Sequence, residues 1–141
     1  MQLLFSFLAN GAEVSSAGKF FVFNGGVDGL DVQAFPTQIP MLAVVTKFRL
    51  NPDERTRAHI IELRGLRPNG EELFPVVVNT FDPTQLMYPM DRPASHVFAV
   101  NIVGLILYEQ GAHRFVISAD GEELGAVELH AYSVGSPTST E

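Results

Sequence analysis

Short runs of apolar and aromatic residues, punctuated by glycine, proline and Asx clusters, recur from end to end of the chain. That punctuation belongs to strands rather than helices. Leu3 to Leu8 reads as a buried first strand. Phe20 to Phe23 runs into Asn24-Gly25-Gly26, a turn cluster, and Leu30 to Phe35, closed by Pro36, is the expected returning strand. Met41 to Leu50 is a long apolar run broken by Asn51-Pro52-Asp53. His59 to Leu66 places Ile61 and Leu63 on one face and Glu62 and Arg64 on the other. Pro68-Asn69-Gly70 then turns the chain into Leu73 to Asn79, where Pro75 points to a sheet edge or a bulge.

The second half continues in the same manner. Ala94 to Tyr108 is apolar on both faces, with Phe98, Val100, Ile102 and Ile106 on one and Val97, Val103, Leu105 and Leu107 on the other. Such a strand is covered on both sides or lends one face to an interface. Glu109-Gln110-Gly111 is a turn, His113 to Ala119 a strand, Asp120-Gly121 a hairpin turn, and Leu124 to Tyr132 the closing strand. Asp53 to Arg57 is the one stretch with a helical start signal, good for a single turn. The predicted fold is all-β: an antiparallel β-sandwich or jelly roll of about eight or nine strands, with at most one short helical turn. Residues 1–133 form the domain, and 134–141 a polar tail.

Composition narrows the function more than it names it. The 141 residues are 46% hydrophobic and 18% charged, which opposes disorder. Cysteine is absent, and with it go disulfides, thiolate metal sites and cysteine nucleophiles. Sixteen acids against nine bases give a net charge of −7, so no nucleic-acid partner is expected. No apolar run approaches the ~18 residues of a membrane-spanning helix. No Lys or Arg precedes Lys19, and Asn10-Gly11 interrupts the first run, which is unlike a secretory signal. A cytoplasmic protein is the expectation.

Leu3-Leu4-Phe5 with Ala12-Glu13-Val14, Gly18-Lys19 leading into Asn24-Gly25-Gly26, and the Phe115 to Leu124 strand–Asp-Gly–strand hairpin are together similar to a bacterial family of small proteins, a domain of unknown function. The resemblance spans most of the chain and rests on turn and strand motifs. It implies a small all-β bacterial protein and carries no catalytic residues with it.

Candidate chemistry is thin. His59, His96, His113 and His130 are all more than four residues apart, so none forms a local zinc-ligand pair. His113 and His130 share the closing hairpin, where residue 113 should pair near 128, leaving only a diagonal approach. Asn24, Asp28 and Asp31 among glycines suit a turn, with a calcium ion as the alternative. No serine sits in a Gly-x-Ser-x-Gly elbow, and Ser95-His96 would point to opposite faces of a strand. The acidic pairs Asp53-Glu54, Glu71-Glu72 and Glu122-Glu123 lie at turns. No catalytic, cofactor or metal residues are assigned, and an enzyme is not expected.

Charge is unevenly spread. Arg55, Arg57, Arg64, Arg67 and Arg92 fall in the middle, whereas residues 93–141 hold Arg114 against six acids. A solvated rim or complementary interaction ends would both fit. Between Thr80 and Pro93, the segment bearing Phe81, Leu86, Met87, Tyr88 and Met90 lacks periodicity and is proline-rich. It is either a crossover lid on the core or a contact surface, and those five residues are the candidate partner-binding set. The expected function is a non-catalytic binding or assembly module working through protein–protein contacts or self-association. A small-ligand or carbohydrate-binding sandwich, perhaps with a calcium ion, is the alternative.

Overall fold

The computed structural model describes residues 1–15, 18–86 and 89–135. Ten strands run in order: β1 (Gln2–Ala9), β2 (Gly11–Val14), β3 (Phe20–Phe23), β4 (Gly29–Val32), β5 (Thr37–Leu50), β6 (His59–Leu66), β7 (Glu72–Phe81), β8 (Ala94–Leu107), β9 (Gly111–Ala119) and β10 (Glu122–Ser133). They form a three-stranded sheet β1-β5-β8, a five-stranded sheet β4-β10-β9-β6-β7, and a two-stranded ribbon β2-β3. The all-β expectation holds. Pairing is antiparallel except where β4 joins β10 in parallel.

The two larger sheets face each other across one apolar core. Leu8, Leu42, Val44, Phe48 and Leu50 from the small sheet meet Ile61, Leu63, Phe115, Ile117 and Leu129 from the large one. Thr46 is fully buried in this layer, and its hydroxyl is satisfied by Ser6 Oγ at 3.1 Å. The outer face of the large sheet is mixed, with exposed Ile60, Val78 and Tyr132 among charged side chains. It carries the pairs Arg64–Glu62, Arg114–Glu123 and His130–Glu128.

The small sheet is apolar on its outer face too, and the ribbon covers part of that face. Ala9, Ala12, Ala43, Val45 and Val97 form a second buried cluster, against which Phe7, Phe20, Val22 and Ala99 pack. Alanines at the crossing let two backbones come close where larger side chains would hold them apart. One polar side chain fixes the overlap. Asn101 Nδ2 donates to the Ala12 carbonyl at 2.8 Å, and Ala12 N–H donates to Asn101 Oδ1 at 3.0 Å. The amide thus replaces a neighbouring strand for one residue of β2.

The hairpin expected between Phe20–Phe23 and Leu30–Phe35 does not form. β3 pairs with β2, and β4 belongs to the opposite sheet. The turn residues Asn24 and Gly26 do take positive φ values of 48° and 89°, as turn chemistry requires. They carry the chain round the β1 edge, where Gly26 N–H and Val27 N–H both donate to the Leu8 carbonyl. That contact outcompetes a local return. Two 3-10 turns are present rather than one, Pro52–Thr56 and Pro83–Gln85. The second starts where Asp82 Oδ1 accepts from Thr84 N–H at 3.0 Å and proline presets the first turn position.

The facing expected for β8 holds only through Ile102. Val100 and Ile102 pack on the main core, but beyond Gly104 it is Leu105 and Leu107 that turn inward, and Ile106 lies exposed. Gly104 has φ +68° and lies opposite Pro40. On β5 the inward side switches at the same level, from Leu42 to Ile39. Both strands therefore change face together and the register survives.

The β6–β7 hairpin follows the sequence reading. β7 is an edge strand, and its pairing with β6 is interrupted around Gly65. Gly65 is a place of close approach: a Cβ there would lie 2.1 Å from Phe74 Cε2. Phe74 cannot withdraw freely, since its ring packs on Phe115 with centroids 6.2 Å apart. Gly65→Ala should destabilise the fold by about 1–3 kcal/mol through overpacking. Phe74→Leu in the same chain should recover part of that loss, as measured by urea unfolding of both single variants and the double variant.

Candidate functional site

The segment proposed from sequence as a contact surface divides in the structure. Phe81 ends β7, is buried in the main core, and stacks on the His96 ring with centroids 3.8 Å apart. Burial in that stack pushes His96 below the usual histidine range. Leu86 is half-buried and packs on the same core. Met90 is exposed. Met87 and Tyr88 lie outside the described residues. The first part of the segment is thus a lid on the core rather than an open surface.

A buried arginine ties down the second part. Arg55, in the Pro52–Thr56 turn, is fully buried. Its Nη1 donates to the Pro89 carbonyl at 2.5 Å and the Arg92 carbonyl at 2.9 Å. A guanidinium offers five donors in a fixed fork, which suits it to gather loop carbonyls that no sheet can satisfy. Arg55 is consequently no part of a positive surface. Arg57 faces Asp120, Arg64 faces Glu62, Arg67 lies between Glu71 and Glu109, and Arg92 is near Asp91. The arginine cluster read from sequence is one buried tie and four residues beside carboxylates, not a bare basic end.

His59 continues the same network. It is buried, with Nδ1 2.6 Å from Asp120 Oδ2 and Nε2 2.5 Å from the Glu54 carbonyl. A buried Asp–His pair invites a catalytic reading. Here the distal nitrogen is occupied by a backbone carbonyl, so the ring has no position from which to activate a hydroxyl or water. It works as a strut between the Pro52–Thr56 turn and the β9–β10 turn. Asp120 itself has φ +52°, and its Oδ1 accepts from Ile60 N–H at 3.0 Å.

The remaining histidines do not assemble. His113 is opposite Leu129, one residue further along than expected, because the hairpin carries an irregularity between Glu123 and Gly125. His113 and Leu129 face the core, so His130 lies on the other side of the sheet. Among the described residues, no group of three or more His, Asp or Glu side chains is placed to hold a metal ion.

Exposed apolar side chains gather elsewhere. Phe20 and Val22 of the ribbon point down to the small sheet, which turns Phe21 and Phe23 outward, at 69% and 70% exposure. Next to them, on the uncovered part of the small sheet, lie Met41 at 39% and Val103 at 72%, on paired strands. A Cβ at Gly11 would touch both Met41 Sδ at 3.5 Å and Phe23 Cδ2 at 3.6 Å, so ribbon and sheet present one continuous face. Contiguous exposed apolar surface of this kind marks an interaction site, whereas single exposed residues do not.

The sequence reading missed this face. Its signal was there in Phe20 to Phe23, four apolar residues without alternation. In a two-stranded ribbon over a sheet, half of them must face outward.

The chain belongs to a family of unknown function, DUF6941. The family model matches residues 4–132, nearly all of the ten strands, in keeping with the resemblance carried by the turn and strand motifs. No curated protein matches the chain. No helix among the described residues is long and apolar enough to cross a membrane.

The strut gives a pH test. Burial works against the Asp120 carboxylate, but hydrogen bonds from His59, Ile60 N–H and Arg57 outweigh it and hold its pKa at about 2, below the ordinary 3.8. The lowered value means that its stabilisation is fully present above the ordinary pKa and is lost as pH falls toward 2. Asp120→Asn keeps a residue tolerant of positive φ and removes the charge together with one of the two accepting oxygens. The variant should be less stable than the parent at neutral pH, with the difference shrinking between pH 4 and 2. Urea midpoints across that range measure it.

Proposed function

We infer that this protein is a non-catalytic binding or assembly module that works through protein–protein contacts. The observation that carries the reading is the continuous apolar face of Phe21, Phe23, Met41 and Val103, where exposed apolar side chains of ribbon and sheet adjoin. An acidic domain with net charge −7 remains dispersed while keeping one apolar patch for association. The occupied Nε2 of His59 supports the non-catalytic part of the reading. A bacterial, cytoplasmic protein is part of the same proposal, the first from the family resemblance.

A photo-crosslinking amino acid placed at position 21, in cells that produce the protein, tests the reading. Discrete adducts should form from position 21 and from position 103, and none from position 114 on the outer face of the large sheet. Absence of any discrete adduct from positions 21, 23 and 103 would overturn the assignment of this face.

A further inference from the structure

Within the apolar face, β3 has an open edge. Among the described residues its one strand neighbour is β2. Asn10 N–H donates to the Phe23 carbonyl at 2.9 Å and Ser15 N–H to the Lys19 carbonyl at 2.7 Å, so residues 19 and 23 turn their carbonyls to β2. Ala12, opposite Val22, gives both its backbone groups to Asn101 instead. By the alternation of an antiparallel ladder, Phe20 and Val22 therefore turn their N–H and C=O groups to the free edge. Natural sheets guard such an edge with proline, inward charge or a bulge. β3 reads Phe-Phe-Val-Phe and has none of these within it; its guards are its length of four residues and the neighbouring Lys19.

We propose that this edge pairs with the same edge of a second copy, making an antiparallel β2-β3-β3-β2 sheet about a two-fold axis at Phe21. The inference rests on the reading of this face as an interaction surface and adds the identity of the partner. A two-fold axis demands that the strand be complementary to itself, and one register meets the demand. Phe20 of one copy exchanges both backbone bonds with Val22 of the other, and the reverse, using the two residues whose groups are free. Phe21 then meets its own counterpart across the axis on the outward side. Lys19 comes opposite Phe23, an ammonium beside an aromatic ring.

The charges permit it. Lys19 flanks β3, and Glu13 of β2 stands opposite Phe21 on the same outward side. The row across the axis therefore reads Glu13-Phe21-Phe21-Glu13, with the two carboxylates three strand spacings, roughly 14 Å, apart. The acidic Glu122, Glu123 and Glu128 are on β10 in the opposite sheet. Phe5, partly exposed and 6.0 Å from Phe20 between ring centroids, lies beneath the strand that would gain the neighbour. An aromatic side chain buries at most roughly 150–250 Å², and Phe21 and Phe23 are already partly covered, so the pairing buries less than about 1,000 Å² over two copies. That is the size of a weak, reversible association. It is too small for an obligate one.

The absence of cysteine makes the test clean. Directly opposed residues in a non-hydrogen-bonded antiparallel pair have Cα atoms about 4.5 Å apart, within disulfide reach. In the full chain, Phe21→Cys should therefore form a disulfide dimer on mild oxidation. Phe23→Cys and Val103→Cys should not, although both positions are equally exposed. By sedimentation equilibrium the parent should rise toward twice its 15.4 kDa as concentration increases into the sub-millimolar range, and Phe21→Lys should lose that rise with an unchanged melting temperature. A parent that remains monomeric, or cross-linking at 23 in place of 21, overturns the proposal. If photo-adducts from position 21 then have the mass of a different protein, the interaction face stands and only its occupant is wrong. If no adduct forms, both readings fail.

Discussion

A three-stranded sheet that is apolar on both faces must be covered on both sides, and most of this architecture answers that requirement. The five-stranded sheet covers one face in the usual manner of a sandwich, with side chains from both layers interleaved. The other face is covered by the chain that has just left it: β1 ends at Ala9, and β2 crosses back over its own sheet. So short a ribbon has little area with which to hold on. Small residues at the crossing and the paired bonds between Asn101 and Ala12 supply the contact and the register. The cover is incomplete for the same reason. It ends short of Met41 and Val103, and its own upper side is aromatic.

The other end of the sandwich is held by polar contacts. Arg55 collects loop carbonyls, and His59 joins the Pro52–Thr56 turn to the turn at Asp120. Buried polar groups are tolerable only when their bonds are made, and here those bonds connect loops far apart in sequence. The long connection after β7 is consequently ordered at both its ends, by Phe81 and Leu86 in the core and by Pro89 and Arg92 on Arg55.

What the sequence showed clearly was whatever local chemistry decides. The alternation of His59 to Leu66, the turn at Pro68-Asn69-Gly70, the edge position signalled by Pro75 and the Asp120-Gly121 hairpin all follow from period and turn residues, and all appear. What stayed hidden depends on distant partners. Asn24-Gly25-Gly26 reads as a hairpin turn, but the Leu8 carbonyl captures the following amides and sends the strand to the other sheet. Gly104 reads as an interruption in an apolar run, yet with Pro40 opposite it exchanges the two faces of β8. Arg55 is indistinguishable from a surface arginine until the carbonyls of residues 89 and 92 are placed around it. The candidate site was misjudged in the same way. A proline-rich apolar loop looked available because its core contacts are long-range, and Phe20 to Phe23 read only as a strand, because nothing local says which side its cover reaches.

Three of the other sheet edges contrast with β3. The long edge strand β7 carries Pro75 and an irregular register beside Gly65, features that discourage a further strand. The edge of β1 is taken at Leu8 by the amides of Gly26 and Val27. β2 would be open at Ala12, but Asn101 closes it with a side chain. In each case a specific residue occupies or blocks the backbone groups that would recruit another chain. β3 keeps two such residues, Phe20 and Val22, with no proline, bulge or inward charge within the strand and with aromatic rings on the outward side. An edge of that kind is a hazard for a protein meant to stay alone and an asset for one meant to associate. β4 and β8 are sheet edges as well; what argues for association at β3 is that its open backbone groups lie beside the outward rings of Phe21 and Phe23.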